Sequence, residues 1–200
     1  MRKSVLPIAI AAATMAMASA FLSTTPAGGE TKTLESVALA DANWAVLGKP
    51  AAPVVNGASG YCLGVQGTAA TAGALIAGRH CAGDPAQAWS VRASVTTAAG
   101  RAATLTWSQL RNGGSGMCLD VRGGAAAGAR LVQARCGGTG DAAQFWRFVP
   151  RGAAHELVNR KSRLCAGIPA TSPGSVAGVV LLACSGGPAQ AWSRAAPAGA

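Results

Sequence analysis

Residues 118–146 read CLDVRGGAAAGARLVQARCGGTGDAAQFW. Two cysteines, Cys118 and Cys136, stand 18 apart, and Gln144-Phe145-Trp146 follows eight residues after the second. The same marks occur twice more. Cys62 and Cys81 precede Gln87-Ala88-Trp89, and Cys165 and Cys184 precede Gln190-Ala191-Trp192, with 19 between the cysteines and 6 from the second cysteine to Gln in both. A pattern in phase three times over is an internal repeat, and repeats govern the fold before any single segment does.

Within a unit the apolar residues alternate, as in Leu63 and Val65 or Leu119 and Val121. Such alternation marks a half-buried strand. Ahead of each first cysteine an apolar position is followed by Asn56, Asn112 or Asn159 and then by a polar or Gly-rich tip. A small-residue loop leads to a second apolar run, Ala74-Leu75-Ile76 or Leu131-Val132. One unit is therefore about four short strands joined by turns. No unit of that size buries its own apolar face, so three must share a core. A closed sheet also leaves no exposed strand edge. Trp89, Trp146 and Trp192 are expected to fill the core, and Gln87, Gln144 and Gln190 to hydrogen-bond backbone beside it. The repeats span about 50–92, 104–149 and 154–195. The first cysteine advances by 56 and then by 47, and the surplus falls near Arg92 to Ala103, a surface loop or an extended hairpin.

The N-terminus reads as an export signal over 1–20. Arg2 and Lys3 form a positive start, Val5 to Ala18 is apolar, and Ala18-Ser19-Ala20 is a small-residue cleavage site. The apolar stretch is shorter than the roughly 20 residues that span a bilayer, so no membrane partner is expected. Residues 21–49, with Trp44, read as a flexible linker. In an exported chain six cysteines favour disulfides. Their even spacing within units selects Cys62–Cys81, Cys118–Cys136 and Cys165–Cys184. A zinc site is the rival reading, but the close ligand pairs that zinc takes are missing and only His80 and His155 are present. No metal and no cofactor are expected.

The formal charge of +10 falls to +8 once Arg2 and Lys3 are removed. Basic residues are scattered, the longest cluster being Arg160-Lys161-Ser162-Arg163. Nucleic acid is not expected as a partner, because its electrostatic footprint is a clustered stripe. Catalysis is not expected either. Glycan hydrolysis needs two carboxylates across a cleft, and among the few acids only Asp120 and Asp141 share a unit. Neither a Gly-x-Ser-x-Gly elbow nor a phosphate-cradling Gly loop with Lys is present.

Gly60-Tyr61-Cys62-Leu63, Ser115-Gly116-Met117-Cys118-Leu119-Asp120-Val121, the cysteine spacing and the three Gln-x-Trp motifs resemble the ricin-B-type lectin family over roughly residues 50–195. The resemblance implies an all-β fold, the β-trefoil, and secreted, monomeric binding of carbohydrate, often galactose- or xylose-type glycans. It implies one shallow pocket per unit, with a carboxylate two after the first cysteine, an aromatic two before the second and an Asn before the Gln. Asp120 matches the carboxylate, Gln144 the motif Gln, and Gln133 a family Gln near the second cysteine at a spacing one residue shorter. Elsewhere the pattern is broken. Ala134 and Arg135 stand where the aromatic is expected and Ala143 replaces the Asn. Gly64 and Arg79 in the first unit, and Gly167 and Leu182 in the third, replace carboxylate and aromatic. Weak binding through the second unit is the expectation. The alternative is a trefoil scaffold without sugar sites that binds protein or an anionic polymer.

Overall fold

Apolar runs become short strands. Burial alternates along Ala52–Asn56, whereas Cys62–Val65, expected to be half-buried, and Cys165–Gly167 are buried throughout. Asn56, Asn112 and Asn159 turn the chain at the end of their strands. The structure is a computed structural model describing residues 50–67, 70–99, 104–170 and 176–195. The expected signal segment and linker lie outside them. The first unit holds β1 (Ala52–Asn56), β2 (Cys62–Val65), β3 (Ile76–Arg79) and β4 (Ala88–Ala98). The second holds β5 (Thr104–Asn112), β6 (Cys118–Val121), β7 (Leu131–Ala134) and β8 (Trp146–Arg151). The third holds β9 (Ala154–Asn159), β10 (Cys165–Gly167), β11 (Val176–Gly178), β12 (Val180–Leu182) and β13 (Ala191–Arg194).

Six of these strands close a ring. β1 pairs with β4 and β13, β4 with β5, β5 with β8, β8 with β9, and β9 with β13. The other strands form the hairpins β2–β3, β6–β7 and β10–β12, each joined to the ring at its first cysteine, opposite Val55, Arg111 and Val158. The hairpins also meet one another. Leu75 bridges to Val132, Arg130 to Val180, and β11 pairs with β3. This is the β-trefoil, with every barrel strand paired on both sides.

The core is built from equivalent residues of the three units. Trp89, Trp146 and Trp192 are buried, and Leu63, Leu119, Leu110, Leu157, Val54 and Leu181 surround them. Each indole donates to the carbonyl one residue after a first cysteine: Trp89 Nε1 to Leu63 O (2.8 Å), Trp146 to Leu119 O (3.1 Å) and Trp192 to Ala166 O (2.9 Å). A buried indole N–H thus finds the partner it needs. The three disulfides form within units, Cys62–Cys81, Cys118–Cys136 and Cys165–Cys184. The surplus between the first two units is an extended hairpin, with β4 and β5 paired out to Ala98 and Thr104.

Candidate functional site

The motif glutamines act alike in all three units. Gln87 Nε2 donates to His80 O and its Oε1 accepts from Ala82 N–H, both at 2.8 Å. Gln144 does the same with Arg135 O (2.9 Å) and Gly137 N–H (2.8 Å), and Gln190 with Ala183 O (2.7 Å) and Ser185 N–H (2.8 Å). Each Gln therefore clamps the residues on either side of the second cysteine. Because the backbone offers an acceptor on one side and a donor on the other, it also fixes which way the amide faces.

Among the described residues, only in the second unit does a carboxylate use this clamp. Asp120 lies half-buried on β6. Its Oδ2 accepts from Gln144 Nε2 at 3.0 Å and its Oδ1 from Val121 N–H at 2.6 Å. Gln144 Oε1 also takes a hydrogen bond from Gln109 Nε2 (3.1 Å), and Gln109 Oε1 accepts from Arg92 Nη1 (2.8 Å). Asp120 thus ends a chain running Arg92, Gln109, Gln144. Each of its oxygens makes one internal bond, and an ionised carboxylate offers about four lone-pair sites. Asp120 is only half-buried, so part of the remaining capacity is open to accept ligand hydroxyls.

Gln133 is not beside Asp120. In the β6–β7 pairing Asp120 stands opposite Val132, and Gln133 opposite Leu119. Paired residues share a face and successive residues alternate, so the spacing one residue short of the family pattern turns Gln133 inward. It is fully buried. Its Nε2 donates to Thr71 O (2.9 Å) and its Oε1 accepts from Ser115 Oγ (2.6 Å), tying the second unit to the first. The apolar surface beside Asp120 is correspondingly thin: Val132 across the strand, and Ala134 across from Cys118.

At Gly64 and Gly167 the carboxylate position has closed. A Cβ on Gly64 would lie 2.9 Å from Gln87 Cγ. One on Gly167 would lie 2.9 Å from Leu182 Cδ1 and 3.0 Å from Gln190 Cγ. No larger side chain enters without displacing the Gln.

Sequence reasoning missed the role of three asparagines. Asn56 Nδ2 donates to Ala189 O (2.9 Å), Asn112 to Ala86 O (2.8 Å) and Asn159 to Ala143 O (2.8 Å). Each carbonyl belongs to the residue before a motif Gln of the preceding unit, so the asparagines link the units head to tail in a ring. Their signal was present: each stands six residues before a first cysteine. Three residues further upstream lie Pro53, Gln109 and Glu156, and here the units differ. Glu156 is buried, bonded to Gly186 N–H (2.8 Å) and paired with Arg151 (2.7 Å). Among the described residues no group of three or more His, Cys, Asp or Glu is placed to hold a metal ion, and no helix is long and apolar enough to cross a membrane.

A profile of the ricin-type beta-trefoil lectin domain matches residues 106–198, and one described as ricin-type beta-trefoil lectin domain-like matches residues 40–134. The chain belongs to the ricin-type β-trefoil lectin family. No curated protein matches this lectin-family chain in sequence. Among solved structures it is similar to the designed threefold-symmetric protein ThreeFoil, at 26% identity and a TM-score of 0.63, over 73% of this chain and 98% of that one. It is similar in fold to the Macrolepiota procera ricin B-like lectin, solved in complex with lactose, at 20% identity and a TM-score of 0.57, over 76% of this chain and 98% of the other. It also resembles in fold an exo-beta-1,3-galactanase from Clostridium thermocellum, at 22% identity and a TM-score of 0.62, over 74% of this chain but only 31% of that one. The chain thus spans about a third of the galactanase.

Proposed function

We propose that this ricin-type domain is a secreted carbohydrate-binding module without catalysis of its own, which holds galactose- or xylose-type glycans weakly through Asp120. One observation carries the reading. Asp120 is a half-exposed carboxylate fixed by Gln144 and Val121 at the position where the family resemblance puts the sugar ligand. Gln144 positions it and Gln133 braces the neighbouring loop. The lactose bound to the Macrolepiota procera neighbour is in keeping with this ligand class. With no ring to stack on the sugar, affinity is expected near millimolar, about −4 kcal/mol. In this reading residues 1–20 direct export, 21–49 are a linker, and 50–195 act as a monomer. Titration with D-galactose, D-xylose and lactose tests it. Asp120→Asn is expected to weaken binding at least about tenfold, since hydrogen bonds to a charged group contribute about 1.5–3 kcal/mol. Unchanged affinity would remove Asp120 from the site.

A second reading rests on the closure at Gly64 and Gly167, together with the charge of +8 left once Arg2 and Lys3 are removed. A trefoil with silent pockets would contact protein or an anionic polymer through its basic surface. Such binding would fade at about 0.5 M salt and ignore free sugars, because screening there acts within a few ångströms.

A further inference from the structure

Two hollows meet at the Asp84–Pro85 step, on the seam between the first and second units. One, of about 260 Å³, lies between Val65 and Gly67 of the first unit and the turn Asn112–Ser115 of the second. The other, of about 280 Å³, is lined by Ala51, Pro53, Ala88 and Gly113. Asp84 and Pro85 line both, and among the described residues Asp84 is the one charged residue in either lining. Its side chain is held in place, because Oδ1 accepts from Ala86 N–H at 2.8 Å and Pro85 fixes the start of the following 3₁₀ turn, Pro85–Gln87. Among the described residues its second oxygen makes no hydrogen bond, and Asp84 is exposed.

We propose that these hollows form a second sugar site, with Asp84 as its anchoring carboxylate and a neutral pyranose as its ligand. The chemistry is that of a sugar-binding surface. A fixed acceptor stands beside apolar walls (Ala70, Pro85, Ala86), which suit the C–H face of a ring. Asn112 Nδ2 is committed to Ala86 O and holds the wall rather than the ligand. Among the described residues no basic side chain lines either hollow, so an acidic sugar meets repulsion from Asp84. Volumes below the roughly 300–1,000 Å³ of drug-sized pockets suit one ring at a time. The anchor stands three residues before Gln87, not two after Cys62, so the closure at Gly64 does not remove it. The first unit is therefore not silent, and its site does not depend on Asp120.

Amide NMR of the ¹⁵N-labelled protein tests this, with D-galactose, D-xylose and lactose added to about 100 mM, a level that reveals millimolar sites. Sugar is expected to shift Ala86 and Gly113 to Ser115. Asp84→Asn keeps an oxygen for Ala86 N–H but removes the charge, and is expected to weaken those shifts at least about tenfold in affinity while leaving Val121 and Gly137 unchanged. Asp120→Asn should do the reverse. If all three sugars leave Ala86 and Gly113 to Ser115 unmoved, or if Asp84→Asn responds as wild type does, the Asp84 site is overturned. Shifts confined to Val121 and Gly137 overturn this site alone, and shifts confined to the Asp84 seam overturn the Asp120 reading alone.

Discussion

Arg163 occupies a backbone position that glycine fills in the other units. Its φ is +64°, against +68° at Gly60 and +71° at Gly116, and each stands two residues before a first cysteine. A side chain in the left-handed region costs about 1–2 kcal/mol. Arg163 offsets that cost through its guanidinium, whose Cζ lies 4.7 Å from the ring centre of Trp107. Trp107 belongs to no Gln-x-Trp motif, yet it is 1% exposed, with its Nε1 bonded to Thr97 Oγ1 at 3.0 Å. Arg163→Gly releases strain and loses the cation–π contact of about 0.5–1 kcal/mol, so stability is expected to stay within about 1 kcal/mol of wild type. Arg163→Ala keeps the strain and loses the contact, and should cost about 0.5–1 kcal/mol. Urea unfolding distinguishes the two, and an Ala variant as stable as the Gly variant would contradict this balance. Nothing in the spacing of Trp107 could announce Arg163 as its cover, because that contact crosses from the second unit to the third.

The hairpins were the most legible elements. Two apolar alternating runs between a cysteine pair admit few arrangements, and the bridge sets their separation. What the spacing did not show was the face of each residue. A one-residue shift in a strand exchanges inside for outside, and Gln133 moved from pocket to interior on that account. The supports of Asp120 were half legible: Gln144 stood in a motif, but Gln109 and Arg92 lie on β5 and β4, whose pairing no repeat announced. The Cys118–Cys136 bridge carries the clamp, since Gln144 bonds Arg135 O and Gly137 N–H on either side of Cys136. Replacing both of these cysteines with Ala is expected to cost about 3 kcal/mol, by loss of an 18-residue loop closure, and to weaken sugar binding at Asp120. The Cys165→Ala, Cys184→Ala pair should cost similar stability and leave that binding intact. Equal loss of binding from both pairs, measured by titration well below the melting transition, would show that the clamp has no local role.

On the scale of the molecule, the threefold order comes from contacts that pass between units. Asn56, Asn112 and Asn159 each reach back to the preceding Gln-x-Trp, and Asn56 closes the ring onto the third unit. The repeated cysteines and Gln-x-Trp motifs foretold three units sharing a core, but not this head-to-tail linkage, which needs each asparagine placed against its neighbour's carbonyl. Symmetry holds for the core tryptophans and the glutamine clamps and fails at buried Gln109 and Glu156 as well as at the pocket positions. The core tryptophans and clamps repeat, while the outer positions hold Gly64, Asp120 and Gly167. Such a molecule keeps one scaffold and lets each lobe keep or lose a ligand separately, so sugar recognition and charge-driven adhesion are separable by salt. A glycan array probed with the mature protein at low salt and at about 0.5 M makes that separation most directly. Expected are signals on galactose- or xylose-type glycans that persist at the higher salt and are competed by free sugar. Binding that vanishes with salt and ignores free sugar would contradict a carbohydrate-binding role.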